Sequence, residues 1–479
     1  MIEKIKALEK TARLLDPSQN QRNQWNEAVL QYADTFINQL TKPQTFVDRT
    51  KAEGDQTHLE IGEEANELPL LLTKTTAQID NIGLNPAAPG HMAYIPGGGL
   101  YPSALGDYIA AVTNRYAGIF YTAPGAVRLE NALIRWMCSL FGYPKTAVGN
   151  LTSGGSIANL VAIVTAREAF QIKSVDIPNV VIYLSAQTHH SIQKAIRIAG
   201  LSEAHLRYIP LDDQMRMSAN ELEKSIIEDQ KNGLKPFFLS AALGATNTGA
   251  IDPIATLASI AKRHKLWFHV DAAYGGFFSL VSSLQEKFEG TSEADSITLD
   301  PHKTLFLPFG TGTILIKEKS HVLKAHHYLA DYMQDTFQAN EEISPADISP
   351  ELTKHFRGMR LWLPLKLFGL KPFRAALEEK LYLTRYFYKI IQLQEGFEVG
   401  PEPELSVAIF RYLPQREDPN TFNQKLIQAI QKDGRVFLSS TTIKGTYWIR
   451  IAVVSFRTHL AQVDLLLTIL QEKVAQLKN

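Results

Sequence analysis

An α/β fold with a mostly parallel central sheet is predicted for this chain by three features. Short apolar runs alternate with helix-length segments over its middle: Asn179 to Leu184, Pro236 to Ala241, Leu266 to Val270 and Ser296 to Leu299 read as strands. Strands separated in this way require helical crossovers, which cover both faces of a parallel sheet. Polar residues that could carry chemistry gather directly after several of these runs, where open parallel sheets present their ligand crevice.

The first ~85 residues read as amphipathic helices broken near Pro43 and Gly54, an extension without a core of its own. Ala126 to Phe141 is a helix, preceded by Pro124 and stopped by Gly142 and Pro144. After Trp362 to Leu370 a long helical stretch leads to strand-like Leu405 to Arg411 and Tyr447 to Val453 and a last helix, the pattern of a smaller α+β domain. The predicted organisation is an N-terminal helical arm at 1–85, a large α/β domain at 86–365 and a small C-terminal domain at 366–479.

Forty-nine basic residues balance forty-nine acidic ones, so no global field draws the chain to nucleic acid or to an anionic membrane. No apolar run reaches the ~18 residues of a membrane span, and the start, Met1 to Asp16, lacks a signal-peptide core. A single cysteine, Cys138, excludes an intrachain disulfide framework. These traits fit a cytoplasmic protein acting on small molecules.

Asp271 ends the run Leu-Trp-Phe-His-Val and is followed by Ala272, Ala273, Gly275 and Gly276, so a flat ligand could approach that backbone; an Asp capping a turn is the plainer alternative. Lys303 follows the strand Ser296 to Leu299, although an isolated lysine is usually a solvated charge. Gly154, Gly155 and Ser156 open a helix through Ile157, Leu160, Val161 and Val164, and its free amides suit a phosphate or simply start a helix. His189 and His190 are adjacent and lack a matching Cys or carboxylate cluster, so no metal site is expected. No Gly-x-Ser-x-Gly elbow is present, which leaves a serine hydrolase unsupported.

Together, a phosphate cradle, an acid and a lysine are parts that a pyridoxal-phosphate enzyme requires. Thr152 to Asn159 (TSGGSIAN), Gln187-Thr188-His189, His269 to Gly276 (HVDAAYGG) and Asp300-Pro301-His302-Lys303 resemble, in order and spacing, the group II amino acid decarboxylases, which include aromatic amino acid, glutamate and histidine decarboxylases. The similarity runs from about His91 to the C-terminus and is more specific for the family than for the substrate. The resemblance implies the pyridoxal-phosphate-dependent transferase fold, fold type I, with pyridoxal 5'-phosphate as cofactor and Lys303 as its point of covalent attachment. It also implies Asp271 as partner of the pyridine nitrogen, His189 as the stacking residue, Thr246 and Ala273 beside the ring, and Gly154, Gly155, Ser156 and His302 at the phosphate. Tyr94 would line the substrate pocket, although Met92 and a shorter spacing depart from the family pattern and a core role fits equally. A homodimer with the active site at its interface, embraced by the N-terminal arm, is implied as well.

The expected reaction is decarboxylation of an L-amino acid to amine and CO₂, and the aromatic-rich Tyr116 to Tyr121 favours an aromatic substrate. Two departures from the family stand out. Many relatives carry Asn where Asp300 stands, and a carboxylate cannot donate to phosphate as an amide does. Alignment on Arg357 to Trp362 puts Pro345 where relatives have a proton-donating tyrosine, with Tyr328 and Tyr332 upstream as substitutes. Oxidative deamination to an aldehyde is therefore an alternative outcome. An aminotransferase would need Arg450 or Arg457 in the pocket, a sphingoid-base lyase fits the Asp-Pro-His-Lys block less well, and a pseudoenzyme that only binds the cofactor is the non-enzymatic reading.

Overall fold

The computed structural model describes residues 1–42, 44–48, 60–327 and 342–478. Helices α1 (Ile2–Ala12) and α2 (Gln19–Gln39) form the start of an arm, and neither buries a residue. Ser18 caps α2 with a reciprocal box to Gln21, which satisfies end amides that no tertiary contact covers. Strand β1 (Phe46–Val47) later pairs with β2 (Gly83–Leu84), and α3 (Leu68–Thr75) lies between them in sequence, also without buried residues. Helices α4 (Tyr101–Thr113) and α5 (Pro124–Leu140) follow, the second starting at Pro124 as the sequence predicts.

The central part runs β3 (Val148–Thr152), α6 (Gly155–Ala169), β4 (Val180–Ser185), α7 (His190–Ile198), β5 (His205–Ile209), α8 (Ala219–Lys231), β6 (Lys235–Ala242), α9 (Ile254–His264), β7 (Trp267–Asp271), β8 (Ser296–Leu299), the one-turn helix α10 (Pro301–Thr304) and β9 (Gly312–Ile316). These seven strands form one sheet in the order β3-β9-β8-β7-β6-β4-β5. The pairs β4–β5, β4–β6, β6–β7 and β7–β8 are parallel, whereas β9 runs antiparallel to both β3 and β8. Six strands therefore point the same way, and their carboxyl ends share one edge.

Alternation along the strands divides the core into two layers. Val181, Tyr183, Leu239, Ala241, Phe268 and Val270 face one cluster with α5 and α9, while Val180, Ile182, Leu184, Phe238 and Trp267 face a second with α6 and α7. Each fully buried aliphatic or aromatic side chain here contributes about 1.5–3 kcal/mol. His269 and Ser296, neighbours across β7 and β8, are fully buried polar residues of the central strands. Cys138 is buried in α5, and burial pushes its thiol up to about 12, so it is unreactive.

Beyond β9, helix α11 (Lys319–His326) returns over α6, and α12 (Gly358–Phe368) packs on α4. Helix α13 (Leu370–Leu393) enters a second unit of β10 (Phe397–Val399), β11 (Val407–Tyr412), α14 (Pro419–Asp433), β12 (Ser439–Ile443), β13 (Thr446–Ala452) and α15 (Leu460–Lys478). Its sheet is antiparallel in the order β10-β11-β13-β12 and encloses a core around Phe387, Phe410, Leu426, Ile449 and Leu466. The fold class is the one expected, with β1, β2, β3, β5, β9, β10 and β12 added to the strands read from sequence. Among the described residues no helix is long and apolar enough to cross a membrane.

Candidate active site

Five strand ends converge on one cavity of about 350 Å³. At the end of β3, Gly154 N donates to Thr152 Oγ1 (3.4 Å) and Thr152 Oγ1 donates to Gly154 O (3.0 Å), which folds the chain sharply into α6. The first amides of a helix have no intrahelical partner and carry partial positive charge, so Gly155 and Ser156 offer an anion their backbone N–H groups. Gly312 of β9 lies against this turn, close enough that a Cβ there would stand 2.6 Å from Gly154 Cα. Only glycine lets the sheet and the helix start approach so closely.

After β4 the chain reaches His189, the N-cap of α7, whose Nδ1 accepts from Ser191 N (3.3 Å) and meets Ser191 Oγ at 2.7 Å. Burial holds the His189 imidazole below its ordinary pKa, with the nearby Asp271 charge opposing. The loop after β6 brings Gly244 and Thr246 to the cavity wall. Asp271 closes β7, and its Oδ1 accepts from Ala273 N and its Oδ2 from Asn159 Nδ2, each at 3.1 Å. Two fixed donors aim one carboxylate.

Beyond β8, Lys303 Nζ stands 3.0 Å from Asp300 Oδ2, while the second oxygen of this buried carboxylate has no protein partner. His302 Nδ1 donates to Thr311 O at 2.6 Å, because a carbonyl can only accept, and burial lowers the ring's pKa. The cavity thus holds an ammonium, two carboxylates, two imidazoles and a helix N-terminus.

Gly154, Gly155, Ser156, His189, Thr246, Asp271, Ala273, His302 and Lys303, all singled out from sequence, line this one cavity. Tyr94 does not line it: its ring is half exposed, its backbone is left-handed (φ 55°), and its carbonyl accepts from Arg450 Nη2 at 2.7 Å. Arg450 also donates to Thr246 O (2.8 Å), so Tyr94 is tied to the cavity wall through one guanidinium. None of Tyr116 to Tyr121 lines the cavity, and the segment packs instead on Ser344 and Ala346, where Pro345 is buried. Tyr328 and Tyr332 lie outside the described residues.

Sequence reasoning assigned no part to Asn159, Ser191, His269 and Ser296, which form a buried hydrogen-bonded group behind Asp271 and His189. The available signal was polarity out of place: Asn159 interrupts the apolar run Ile157 to Val161, and an asparagine is a poor residue for a helix interior.

The cavity suits a flat phosphorylated aldehyde. Helix amides stand at one end for phosphate, an amine lies within reach for the carbonyl, and a doubly oriented carboxylate waits for a ring nitrogen. Beside the α6 N-terminus the Asp300 carboxylate opposes an anion, and Lys303 balances it.

Comparison with known proteins agrees with this geometry. The pyridoxal-dependent decarboxylase conserved domain matches residues 55–413. The aromatic-L-amino-acid decarboxylase of Bacillus atrophaeus is 33% identical over 375 residues, 77% of this chain and 78% of that protein. A phenylacetaldehyde synthase of Petunia hybrida is 27% identical over 497 residues, 98% of this chain and 97% of that one. The crystal structure of Catharanthus roseus tryptophan decarboxylase in complex with L-tryptophan superposes with a TM-score of 0.85 at 25% identity, covering 95% of this chain and 98% of that chain.

Proposed function

Because the chain belongs to the pyridoxal-dependent decarboxylase family, whose members are pyridoxal-phosphate-dependent carboxy-lyases, we propose that it removes the α-carboxylate of an aromatic L-amino acid, giving the amine and CO₂. The observation that carries the reading is the meeting of Lys303, Asp271, His189 and the α6 N-terminus in one cavity at the sheet's carboxyl edge. The aromatic substrate rests on the named relatives, aromatic amino acid and tryptophan decarboxylases.

Bound pyridoxal phosphate supplies an electron-withdrawing ring that accepts the charge left at the substrate α-carbon. Lys303 would hold the cofactor covalently through its amine. Asp271, its two oxygens already oriented by Ala273 and Asn159, would pair with the ring nitrogen and keep a proton there by opposite-charge attraction. His189, Thr246 and Ala273 would hold the ring, and Gly154, Gly155, Ser156 and His302 would hold the phosphate. Tyr94 is joined to the Thr246 wall only through Arg450, which donates to both backbone carbonyls.

A homodimer belongs to this reading. Helix α1 and the turn that follows it expose Ile2, Ile5, Leu8, Leu14 and Leu15, and the arm helices bury nothing within the chain, a surface that a second copy would cover. The aldehyde-forming outcome is the second reading, favoured by buried Pro345 at the expected tyrosine position and by the full-length similarity to a phenylacetaldehyde synthase. An aminotransferase loses support because Arg450 and Arg457 both hold backbone carbonyls.

The test has two parts. Borohydride reduction of cofactor-loaded protein followed by peptide mapping is expected to mark Lys303, with no adduct in Lys303→Ala. Incubation with each standard amino acid is expected to release CO₂ and an amine. Ammonia and peroxide would indicate the aldehyde route, a keto acid an aminotransferase, and no product at all a binding protein.

A further inference from the structure

We propose that Asn159 is a positioning residue that aims Asp271 and selects the tautomer of His189 at the same time, through a buried hydrogen-bond chain whose direction is set at both ends. One end is Trp267, whose indole Nε1 only donates; it stands 2.9 Å from Ser296 Oγ. Ser296 Oγ lies 2.8 Å from His269 Nδ1, His269 Nε2 lies 3.1 Å from Asn159 Oδ1, and Asn159 Nδ2 lies 3.1 Å from Asp271 Oδ2. The other end, an ionised carboxylate, only accepts.

Those two ends leave one consistent assignment. Asp271 requires the NH₂ of Asn159 to face it, which turns the amide oxygen toward His269 and places that ring's proton on Nε2. His269 Nδ1 must then accept from the Ser296 hydroxyl, whose oxygen remains free to accept from Trp267. Neutrality of this ring comes from burial, which outweighs the Asp271 charge and a Ser296 backbone hydrogen bond that both favour the protonated form, and pushes the fully buried His269 down to about 4.

Asn159 Nδ2 has a second hydrogen, and Ser191 Oγ receives it at 2.9 Å. Ser191 then turns its own proton to His189 Nδ1, 2.7 Å away, where Ser191 N–H also points at 3.3 Å. With two donors aimed at Nδ1, the neutral ring carries its proton on Nε2. Asp271, Asp300, Lys303 and His190 are the charged and titratable groups nearest this imidazole, and burial outweighs their combined effect in lowering its pKa. The acid and the imidazole of the cavity are thus held by two hydrogens of one amide, in a layer where Asn159 is 1% exposed and Ser191 2%. A fully satisfied buried network of this kind is rigid, because every alternative leaves a polar group unpaired.

The consequence for cofactor binding rests on the function proposed above; the tautomers do not. Nitrogen-15 NMR of histidine-labelled protein without added cofactor, assigned by single substitutions, is expected to find both His189 and His269 protonated on Nε2 alone at neutral pH. Ser191→Ala is expected to lower the tautomer preference of His189 roughly tenfold, and Ser191→Thr to restore it. Asn159→Asp, which turns an acceptor toward Asp271, is expected to weaken pyridoxal phosphate binding roughly ten- to hundredfold and to move the pH at which the bound cofactor's visible absorbance titrates. If that variant does not fold, the Ser191 pair and the wild-type spectra still decide. A protonated Nδ1 on either ring, or a Ser191→Ala spectrum identical to wild type, overturns the proposal. Correct tautomers together with failure of cofactor to attach at Lys303 would sink the proposed function and leave the network standing.

Discussion

Replacing the Asp300 carboxylate by an amide of nearly the same shape is expected to weaken the cofactor-free protein and tighten its hold on pyridoxal phosphate. In the structure Asp300 Oδ2 and Lys303 Nζ are 3.0 Å apart, with side chains only 4% and 18% exposed. At an effective dielectric constant of ~20 such a pair attracts by about 5 kcal/mol, most of which offsets the cost of taking both charges from water. A net loss of about 1–3 kcal/mol on Asp300→Asn is therefore expected without cofactor. Binding should move the other way. On the proposed function, a cofactor attached at Lys303 would take its amine from Asp300 and place a phosphate near the Gly155 turn, where a Cβ would sit 2.9 Å from that carboxylate. D300N removes the repulsion and adds an N–H that can donate. A hydrogen bond to a charged group is worth about 1.5–3 kcal/mol, or roughly ten- to hundredfold in affinity. Thermal melting of cofactor-free protein and absorbance titration with pyridoxal phosphate measure the two effects, and saturating cofactor should reverse the order of stability. If D300N binds cofactor more weakly than wild type, or melts unchanged without it, the argument that Asp300 opposes the phosphate is wrong.

Gly312→Ala is expected to cost about 1–3 kcal/mol and to weaken cofactor binding, since its Cβ would stand 2.6 Å from Gly154 Cα and 2.8 Å from Asp300 Oδ1. Gly125→Ala, in open space within α5, is the control and should stabilise by up to about 1 kcal/mol in the same melting experiment. Acid should destabilise the fold through its buried histidines: burial pushes His91, His269 and His326 down to about 4 from 6.5. Their contribution is fully present above pH 6.5 and is lost as pH falls toward 4, up to about 3 kcal/mol each. Asp252 and Asp295, pushed up to about 6 by burial, act in the opposite sense, so their contribution is present at low pH and lost as pH rises toward 6. Urea unfolding of His91→Phe is expected to be less steep in pH between 6.5 and 4 by about one proton; an unchanged slope would rule out a neutral buried His91.

The strands that the sequence marks clearly are β4, β6, β7 and β8, runs such as Val180–Ser185 that are buried on both faces and so are apolar throughout. The strands it leaves unmarked carry other obligations. Strand β3 contains Gly149, whose Cβ would clash with β9, and Asn150, whose Oδ1 accepts from Lys354. Edge strand β5 is half exposed and keeps His205 and Arg207. Pairing decides such segments, and pairing is not local. The cavity was legible for a related reason: residues following successive strands of a parallel sheet meet at one edge whatever lies between them. Asn159 and Ser191 do not follow a strand, and their meeting depends on how α6 and α7 pack side by side.

Arg450 and Arg457 illustrate what sequence position leaves open in a charged residue. Either could have gripped a second substrate carboxylate, the requirement of an aminotransferase. Arg450 instead spends its three nitrogens on Thr246 O, Ser439 Oγ and Tyr94 O, and Arg457 reaches Gly98 O and Gly99 O. All of these partners are neutral. Burial accordingly pulls the Arg450 guanidinium down to about 10, still far above neutral pH, so the cation persists and works as a joint among the loop after β6, the segment around Tyr94 and the small antiparallel sheet. A carbonyl held by a buried guanidinium is costly to release, because the cation would remain without an acceptor. The wall of the cavity at Thr246 is therefore fixed by the C-terminal unit, and side chains on β12 and β13 act on the site without touching it.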